Sequence, residues 1–318
     1  MDTNLIKDLI LNADKVVITA HTSLDGDSLG SSLGLYGCLK KIKNEVQVVF
    51  KERPPKEFSF LPYYSSIKVT EEDIIEENDI LIVLDCGNVE RINLNINIDK
   101  FRNNIINIDH HKSNEEYGNI NWVDSGRSAA GELVFELAKS LEIELDENIS
   151  KCLYTALLTD TGSFKYSNTS KRTHQIAGEL ISKGINFTEI HDKIYENKSF
   201  KQIKLYATAI ESMEMYYNNK LCIMEIKQSD IEKLEAENED IGDLINLGTK
   251  IDTVEAVMLI KSNCEYQKVS LRSKKYIDVC KMAGLFDGGG HVRAAGFKSE
   301  LSTDEIKEKI INYLKGLI

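Results

Sequence analysis

A chain of 318 residues, 42% hydrophobic and 28% charged, has the composition of a folded protein with length for about two domains, each able to bury its own core. Its formal net charge of -12 excludes the dominant basic surface that long DNA or an anionic membrane attracts, but not a local site for a small anionic substrate, above all with cations bound there. The six cysteines, Cys38, Cys86, Cys152, Cys222, Cys264 and Cys280, form no C-x-x-C pair, which argues against a zinc cluster or a disulfide framework and fits a reduced, cytoplasmic setting.

The opening stretch MDTNLIKDLILNADK carries acids inside its apolar run and lacks a basic start and a small-residue cleavage site, so it does not read as a signal peptide. No apolar run approaches the ~20 residues of a membrane span, and no repeat of solenoid length is visible. Three runs then share one grammar: VVITAH (16–21), DILIVLDCG (79–87) and IINIDHH (105–111). Each is apolar on both faces, as in strands of a helix-covered parallel sheet, and each ends in acid or histidine. EVQVVF (45–50) is a fourth strand candidate without such an ending, and helical patterns occupy 29–41, 128–141, 149–158 and 173–183. A charged helical connector is expected over 186–210, separating an N-terminal parallel-sheet domain (1–185) from a smaller C-terminal α/β domain (211–318). In the latter, Asn218 and Asn219 mark a hairpin turn, strands are expected at 253–261 and 268–273, and a glycine-rich segment precedes a final helix.

In an open α/β sheet, ligands bind outside the carboxyl ends of the strands, a rule that would gather His21, Asp85, Asp109, His110 and His111 along one edge. HTSLDGDSLGS (21–31) adds Asp25 and Asp27, although Asp-Gly-Asp-Ser by itself also reads as a turn that caps the following helix. TALLTDTGSF (155–164) places Asp160 at a helix end, where an acid opposes the helix dipole. Five carboxylates brought together would repel one another, and divalent cations would remove the conflict. Carboxylates mixed with imidazoles suit manganese and related first-row ions. Because neighbours in an extended chain face opposite ways, His110 and His111 are expected to do different jobs.

Farther on, SLRSK (270–274) alternates, so Ser270 and Arg272 should share one face and Val269 and Leu271 the other. Arg272 by itself also reads as a solvated surface cation. FDGGGHVRAAGF (286–297) combines three glycines, whose exposed amides can form an anion-binding nest, with His291; a flexible loop reads equally well from the residues alone. Lys165, Lys171, Arg172 and Arg293 are further cations, either ordinary surface residues or the rim of a site.

The segments HTSLDGDSLGS, LDCG, DHH and TDTGSF, in this order, resemble the successive motifs of the DHH phosphoesterase family, and GGGHVRAAG resembles the signature of the DHH-associated C-terminal domain. The resemblance implies that His21, Asp25 and Asp85 hold one manganese ion and that Asp27, Asp85, His110 and Asp160 hold a second, with Asp85 bridging. It implies that Asp109 stands behind His110 and fixes its ring, that His111 stabilises charge on the substrate phosphate, and that Arg272, Gly289, Gly290 and His291 bind the substrate's phosphate end. Paired ions would lower the pKa of a shared water and brace the phosphate, so no serine or cysteine nucleophile is nominated. The two-domain size resembles the NrnA-type branch, which degrades very short oligonucleotides to mononucleotides and removes the 3′-phosphate of 3′-phosphoadenosine 5′-phosphate (pAp). The expected partners are therefore short single-stranded RNA or DNA oligonucleotides, nanoRNA, linear dinucleotides such as pApA, and pAp, with no membrane; a homodimer is compatible with the resemblance. A cyclic-dinucleotide phosphodiesterase and a single-strand exonuclease of the same family are the alternative enzymes, and a nucleotide-binding sensor is the alternative outside catalysis.

Overall fold

The computed structural model describes residues 3–72, 75–76, 78–96, 104–236, 244–263 and 265–318, so Cys264 lies outside the described residues. The chain divides into two compact units, the first running to Asn197 and the second beginning at Lys198.

In the first unit, helix α1 (Thr3–Asn12) leads into strand β1 (Val16–Thr19). Strands β2 (Val46–Phe50), β3 (Ile67–Val69), β4 (Ile80–Leu84), β5 (Ile105–Asp109) and β6 (Ile120–Val123) complete a six-stranded sheet ordered β3-β2-β1-β4-β5-β6. Every adjacent pair is parallel, as the apolar runs require. β1, β4 and β5 are buried along their whole length because both faces are covered. Against one face pack helices α2 (Gly26–Leu39), α3 (Ala130–Ser140) and α4 (Glu147–Asp160), in a core that includes Ile18, Leu33, Ile82, Ile108 and Phe135. Against the other lie Ile75, Ile92 and Leu94. The strand order reverses between β1 and β4, which is where a crevice opens at the carboxyl ends of such a sheet.

Strands β3 and β6, absent from the sequence-based expectation, are the two edges of this sheet. β6 alternates buried Ile120 and Trp122 with half-buried Asn121 and Val123, and so lacks the continuous apolar run that reveals a central strand. Helices α5 (Lys171–Ile181) and α6 (Phe187–Tyr195) follow, the latter burying Ile190 in the first unit's core.

The second unit opens with helix α7 (Phe200–Glu211), whose Leu205 and Ala209 enter a core of that unit. The expected hairpin is present as β7 (Glu214–Tyr216) and β8 (Leu221–Lys227), with left-handed Asn218 and Asn219 between them. After short helices α8 (Gln228–Lys233) and α9 (Ile245–Thr249) come β9 (Ala256–Ser262) and β10 (Gln267–Ser273), then helix α10 (Val279–Gly284), β11 (Gly289–His291), β12 (Ala294–Ser299) and helix α11 (Thr303–Leu314). The sheet is ordered β11-β12-β10-β9-β8-β7, with β8 and β9 parallel and the other pairs antiparallel. No helix among the described residues is long and apolar enough to cross a membrane.

One helix pair in the first unit determines where the acids meet. Gly26, Gly30 and Gly34 recur every four residues along one side of α2, and each lies against α4 so closely that a Cβ would collide with Thr159, with the Cys152 carbonyl and Ala156, or with Leu153, respectively. The order of these contacts makes the helices antiparallel, so the first turn of α2, with Asp27, lies beside the last turn of α4, with Asp160. At Gly30 an added Cβ would stand 2.6 Å from the Cys152 carbonyl oxygen. Gly30→Ala is therefore expected to lower the unfolding free energy by about 1–3 kcal/mol, the usual cost of overpacking, read from the midpoint of a urea denaturation curve.

Candidate metal centre

The strand ends and the first turn of α2 bring the expected side chains together around Asp85. Asp85 follows β4 with φ of 52°, in the left-handed region, which turns the chain sharply at the sheet edge. Its Oδ2 lies 3.3 Å from His21 Nε2 and its Oδ1 lies 3.3 Å from His110 Nε2. On one side, His21 Nε2 also faces Asp25 Oδ2 at 3.6 Å. On the other, His110 Nε2 faces Asp27 Oδ2 at 3.6 Å and Asp160 Oδ2 at 3.8 Å. The donor atoms of His21, Asp25 and Asp85 lie within 4.8 Å of one another, as do those of Asp27, His110 and Asp160, and those of Asp85, Asp109, His110 and His111.

Each ligand candidate is aimed by a specific neighbour. His21 Nδ1 lies 2.6 Å from the Thr22 carbonyl and His110 Nδ1 lies 3.3 Å from the Arg127 carbonyl, contacts that place a proton on Nδ1 of the neutral ring and turn Nε2 toward the acids. Asp25 caps α2, accepting the Ser28 amide at 2.9 Å, so the turn-and-cap reading of Asp-Gly-Asp-Ser holds alongside the ligand reading. Buried Asp27 accepts the amides of Ala130 at 2.6 Å and Gly131 at 3.0 Å, at the N-terminus of α3, whose own N-cap residue Ala129 has no capping side chain.

Electrostatics tightens this arrangement. Burial, with the Asp85 charge adding to it, pushes the Asp27 carboxyl well above the usual carboxylate range. Burial also lifts Asp160 to about 6, the nearby imidazolium of His110 opposing and Asp85 reinforcing the rise. For Asp25 desolvation works the other way from its partners, and the bonds from His21 and Ser28 prevail, holding it at about 2. Burial opposes charge on both imidazoles, yet the acids set close around them outweigh it, raising His21 to about 11 and His110 to about 10. Even so, Asp85 Oδ1 and His110 Nε2 are buried without a hydrogen-bond partner. Two orphaned atoms of the kinds that ligate cations, facing each other in a carboxylate and imidazole cage, are what a divalent-ion site requires. The nearby Cys86 thiol is engaged with the Asn88 carbonyl.

Two expectations change. Asp109 does not stand behind the His110 ring. Its Oδ1 accepts the His110 amide and His111 Nδ1, both at 2.8 Å, and its Oδ2 accepts the Asn114 amide group at 2.5 Å, so it fixes the ring of His111 and the main chain of His110. Nor do the two histidines face opposite ways: β5 ends at Asp109, the strand alternation stops there, and the rings lie 4.6 Å apart with both near Asp85. The Asp109 bond, against the opposing effect of burial, raises the pKa of His111, whose side chain is partly exposed.

Asn93, Asn107, Asn114 and Tyr117 support this edge and escaped sequence reading. Asn93 accepts the amides of Lys51 and Glu52 and donates to the His21 carbonyl, while Asn107, Asn114 and Tyr117 all donate to the carbonyl of Cys86, next to Asp85. The available signal was the interruption of the apolar run Ile105–Ile106–Asn107–Ile108 by a fully buried amide.

In the second unit, Val269 and Leu271 are buried while Ser270 and Arg272 share the other face, as their alternation requires. Arg272 and His291 are both paired with Ala294, which puts them in one cross-strand row; Ser270 and Gly289, both paired with Gly296, form the next. The expected nest is instead a short strand: Gly289–His291 pairs with β12, and Gly290, at φ of 144°, has no room for a Cβ beside the Ala294 carbonyl. As the edge strand it still turns one side of its backbone outward. Burial depresses the pKa of Arg272, whose Nη1 donates to the Leu271 carbonyl. Arg293 donates to the Ile277 carbonyl and Arg172 pairs with Glu136 at 3.4 Å, so both have structural partners. Glu255, unremarked in the sequence, accepts the amides of Lys275, Tyr276 and Ile277 and pins the loop that follows β10.

Fold and site together define a phosphoric ester hydrolase: a parallel α/β unit with an acid and imidazole cage at its switch point, followed by a smaller α/β unit. The chain belongs to the DHH family, residues 15–159 matching the N-terminal domain of that family and residues 218–316 the DHHA1 domain. It is similar to the bifunctional oligoribonuclease and PAP phosphatase NrnA of Thermus thermophilus, 27% identical over 301 residues, covering 94% of this chain and 89% of that one. The NrnA of Bacillus subtilis, described in the same words, is 28% identical over 299 residues, covering 93% of this chain and 92% of that one. Among solved structures, an exopolyphosphatase-related protein from Bacteroides fragilis superposes with a TM-score of 0.88 at 27% identity, covering 99% of this chain and 96% of that chain.

A cation entering the cage has to displace the protons that His21 and His110 hold at neutral pH, because their pKa values lie above it and only neutral imidazole ligates. In the metal-free protein these protonated imidazoles stabilise the fold, a contribution present below their ordinary pKa and lost as pH rises through about 10 and about 11. Titrating the metal-free protein with Mn2+ at pH 7.5 is thus expected to release protons. Calorimetry in buffers of different ionisation enthalpy would show this as a buffer-dependent heat, and a buffer-independent heat would remove the imidazoles from the ligand set.

Proposed function

We propose that this protein is a manganese-dependent phosphodiesterase and phosphatase that hydrolyses short oligonucleotides, nanoRNA and pApA among them, to mononucleotides, and pAp to AMP. The observation that carries the reading is the bridging position of Asp85, one oxygen toward His21 and the other, unpartnered, toward His110. The similarity to NrnA proteins over most of the chain supports the substrate class. His21, Asp25 and Asp85 would hold one ion, and Asp27, Asp85, His110 and Asp160 the second. Two such ions supply a water of lowered pKa and positive charge that braces the phosphate oxygens.

The chain's own residues do the rest. The carboxylate of Asp109, held by three donors, orients His111 and raises its pKa, so Nε2 is presented as a charged donor to a phosphate oxygen on which negative charge grows. In the second unit, Arg272 and His291 lie in one row over the small residues Ala294, Gly296 and Gly289, a surface on which a terminal phosphate can approach the backbone closely. A short oligonucleotide has few phosphates, so a local site built on Arg272 would serve it within a chain of net charge -12.

Incubation of the purified protein with Mn2+ and pApA is expected to yield AMP on chromatography; binding without product would favour a nucleotide sensor. Asp85→Ala is expected to abolish turnover. Arg272→Ala should raise KM by roughly 10–100-fold, the worth of a charge-assisted hydrogen bond, with metal content unchanged. Because Asp109 sustains the charge on His111, Asp109→Asn is expected to move the alkaline limb of the pH–rate profile to lower pH; an unmoved limb would separate His111 from that titration.

A further inference from the structure

The turn from Asp124 to Gly131, between β6 and the first turn of α3, contributes no side chain to the cage, yet its main chain reaches one side of it. The amides of Ala130 and Gly131 hold Asp27. The Arg127 carbonyl accepts from His110 Nδ1 at 3.3 Å. The Ser128 carbonyl accepts from Asn168 Nδ2 at 3.0 Å, and the same amide group bonds Asp160 through its carbonyl at 3.1 Å and its carboxylate at 3.2 Å. Asp27, His110 and Asp160 are the group that would complete one ion's coordination with Asp85. On the other side of the cage, His21 Nδ1 donates to the Thr22 carbonyl, and Asp25 accepts from Ser28.

The turn is itself held by side chains. Arg127 Nε donates to Asp124 Oδ2 at 2.8 Å and its Nη1 to Glu136 Oε1 at 2.7 Å, with buried Glu132 Oε2 at 3.8 Å. Glu132 Oε1 in turn accepts the hydroxyls of Ser128 and Thr173, both at 2.6 Å. A planar guanidinium bonded along two edges fixes the direction of the peptide it belongs to, and that peptide's carbonyl is the one that meets His110.

Resting on the proposed reading of the centre, we propose that Arg127 is a positioning residue for one ion of the pair: by clamping the 124–131 turn it aims Asp27, His110 and, through Asn168, Asp160, while leaving the His21 and Asp25 side of the cage independent. This separates the two halves of the centre by their supports, although they share Asp85.

The test is metal content and not turnover. Mn2+ binding to the whole protein is followed by electron paramagnetic resonance, which counts bound ions and reports spin coupling between neighbours. Anomalous diffraction from Mn2+-loaded crystals shows which position is filled. Wild type is expected to take up two coupled ions. Arg127→Met, which keeps the stem and removes the fork, is expected to weaken one ion by roughly 10–100-fold, as loss of a ligand's hydrogen-bonded support does. The coupling should vanish, and the remaining ion should sit between His21, Asp25 and Asp85. Equal affinities for both ions in Arg127→Met, or equal weakening of both, overturns the inference alone. A wild-type protein that binds fewer than two ions overturns the reading of the centre as well. Where Arg127→Met does not give folded protein, Arg127→Lys, which keeps the charge and removes the planar fork, decides by the same criterion.

Discussion

Five carboxylates gathered at the carboxyl edge of one parallel sheet are the constraint around which the first unit is arranged, because like charges out of water repel strongly unless each is answered. The answers differ. Asp109 is satisfied outright by three hydrogen-bond donors, and Asp27 by two amides at the start of a helix. Asp25 has a helix cap and His21. Asp160 has His110 and the Asn168 amide group, while Asp85 is left to the imidazoles with one oxygen lacking a hydrogen-bond partner. The negative potential that remains is what a pair of divalent cations would neutralise, so the site's affinity for metal and the fold's own electrostatic burden are one quantity seen from two sides.

The glycine seam between α2 and α4 makes this concentration possible. A parallel sheet supplies three side chains of the cage from its strand ends, but Asp160 comes from the C-terminus of a helix, where the dipole disfavours an acid. Only a helix packed closely and antiparallel to α2 sets that end beside Asp27, and the absence of side chains at Gly26, Gly30 and Gly34 allows the backbones to approach. Packing made possible by missing atoms in the helix layer therefore determines chemistry at the sheet edge.

The second unit is ordered by different means. Its row of Arg272, Ala294 and His291 is fixed by antiparallel register, and the loop after β10 is pinned by Glu255. The proposed phosphate site would thus be Arg272 and His291 displayed on a sheet beside small residues. The first unit carries nearly all of the chain's net charge of -12, and the second is close to neutral.

Local features were legible in the residues: the central strands β1, β4 and β5 by their apolar runs, the hairpin at Asn218 and Asn219, the split faces of β10, and the polar residues at the strand ends. These follow from periods of two and of 3.6 residues, which neighbours in the chain impose on one another. The partners of those residues were set by the fold as a whole. Asp109 turned to His111 because the strand ends one residue before His110. Gly289–His291 became an edge strand because β12 offered a ladder. Asp27 found its amides 103 and 104 residues away, at Ala130 and Gly131. Such choices depend on which backbones are brought close enough to exchange hydrogen bonds, and no local pattern carries that information.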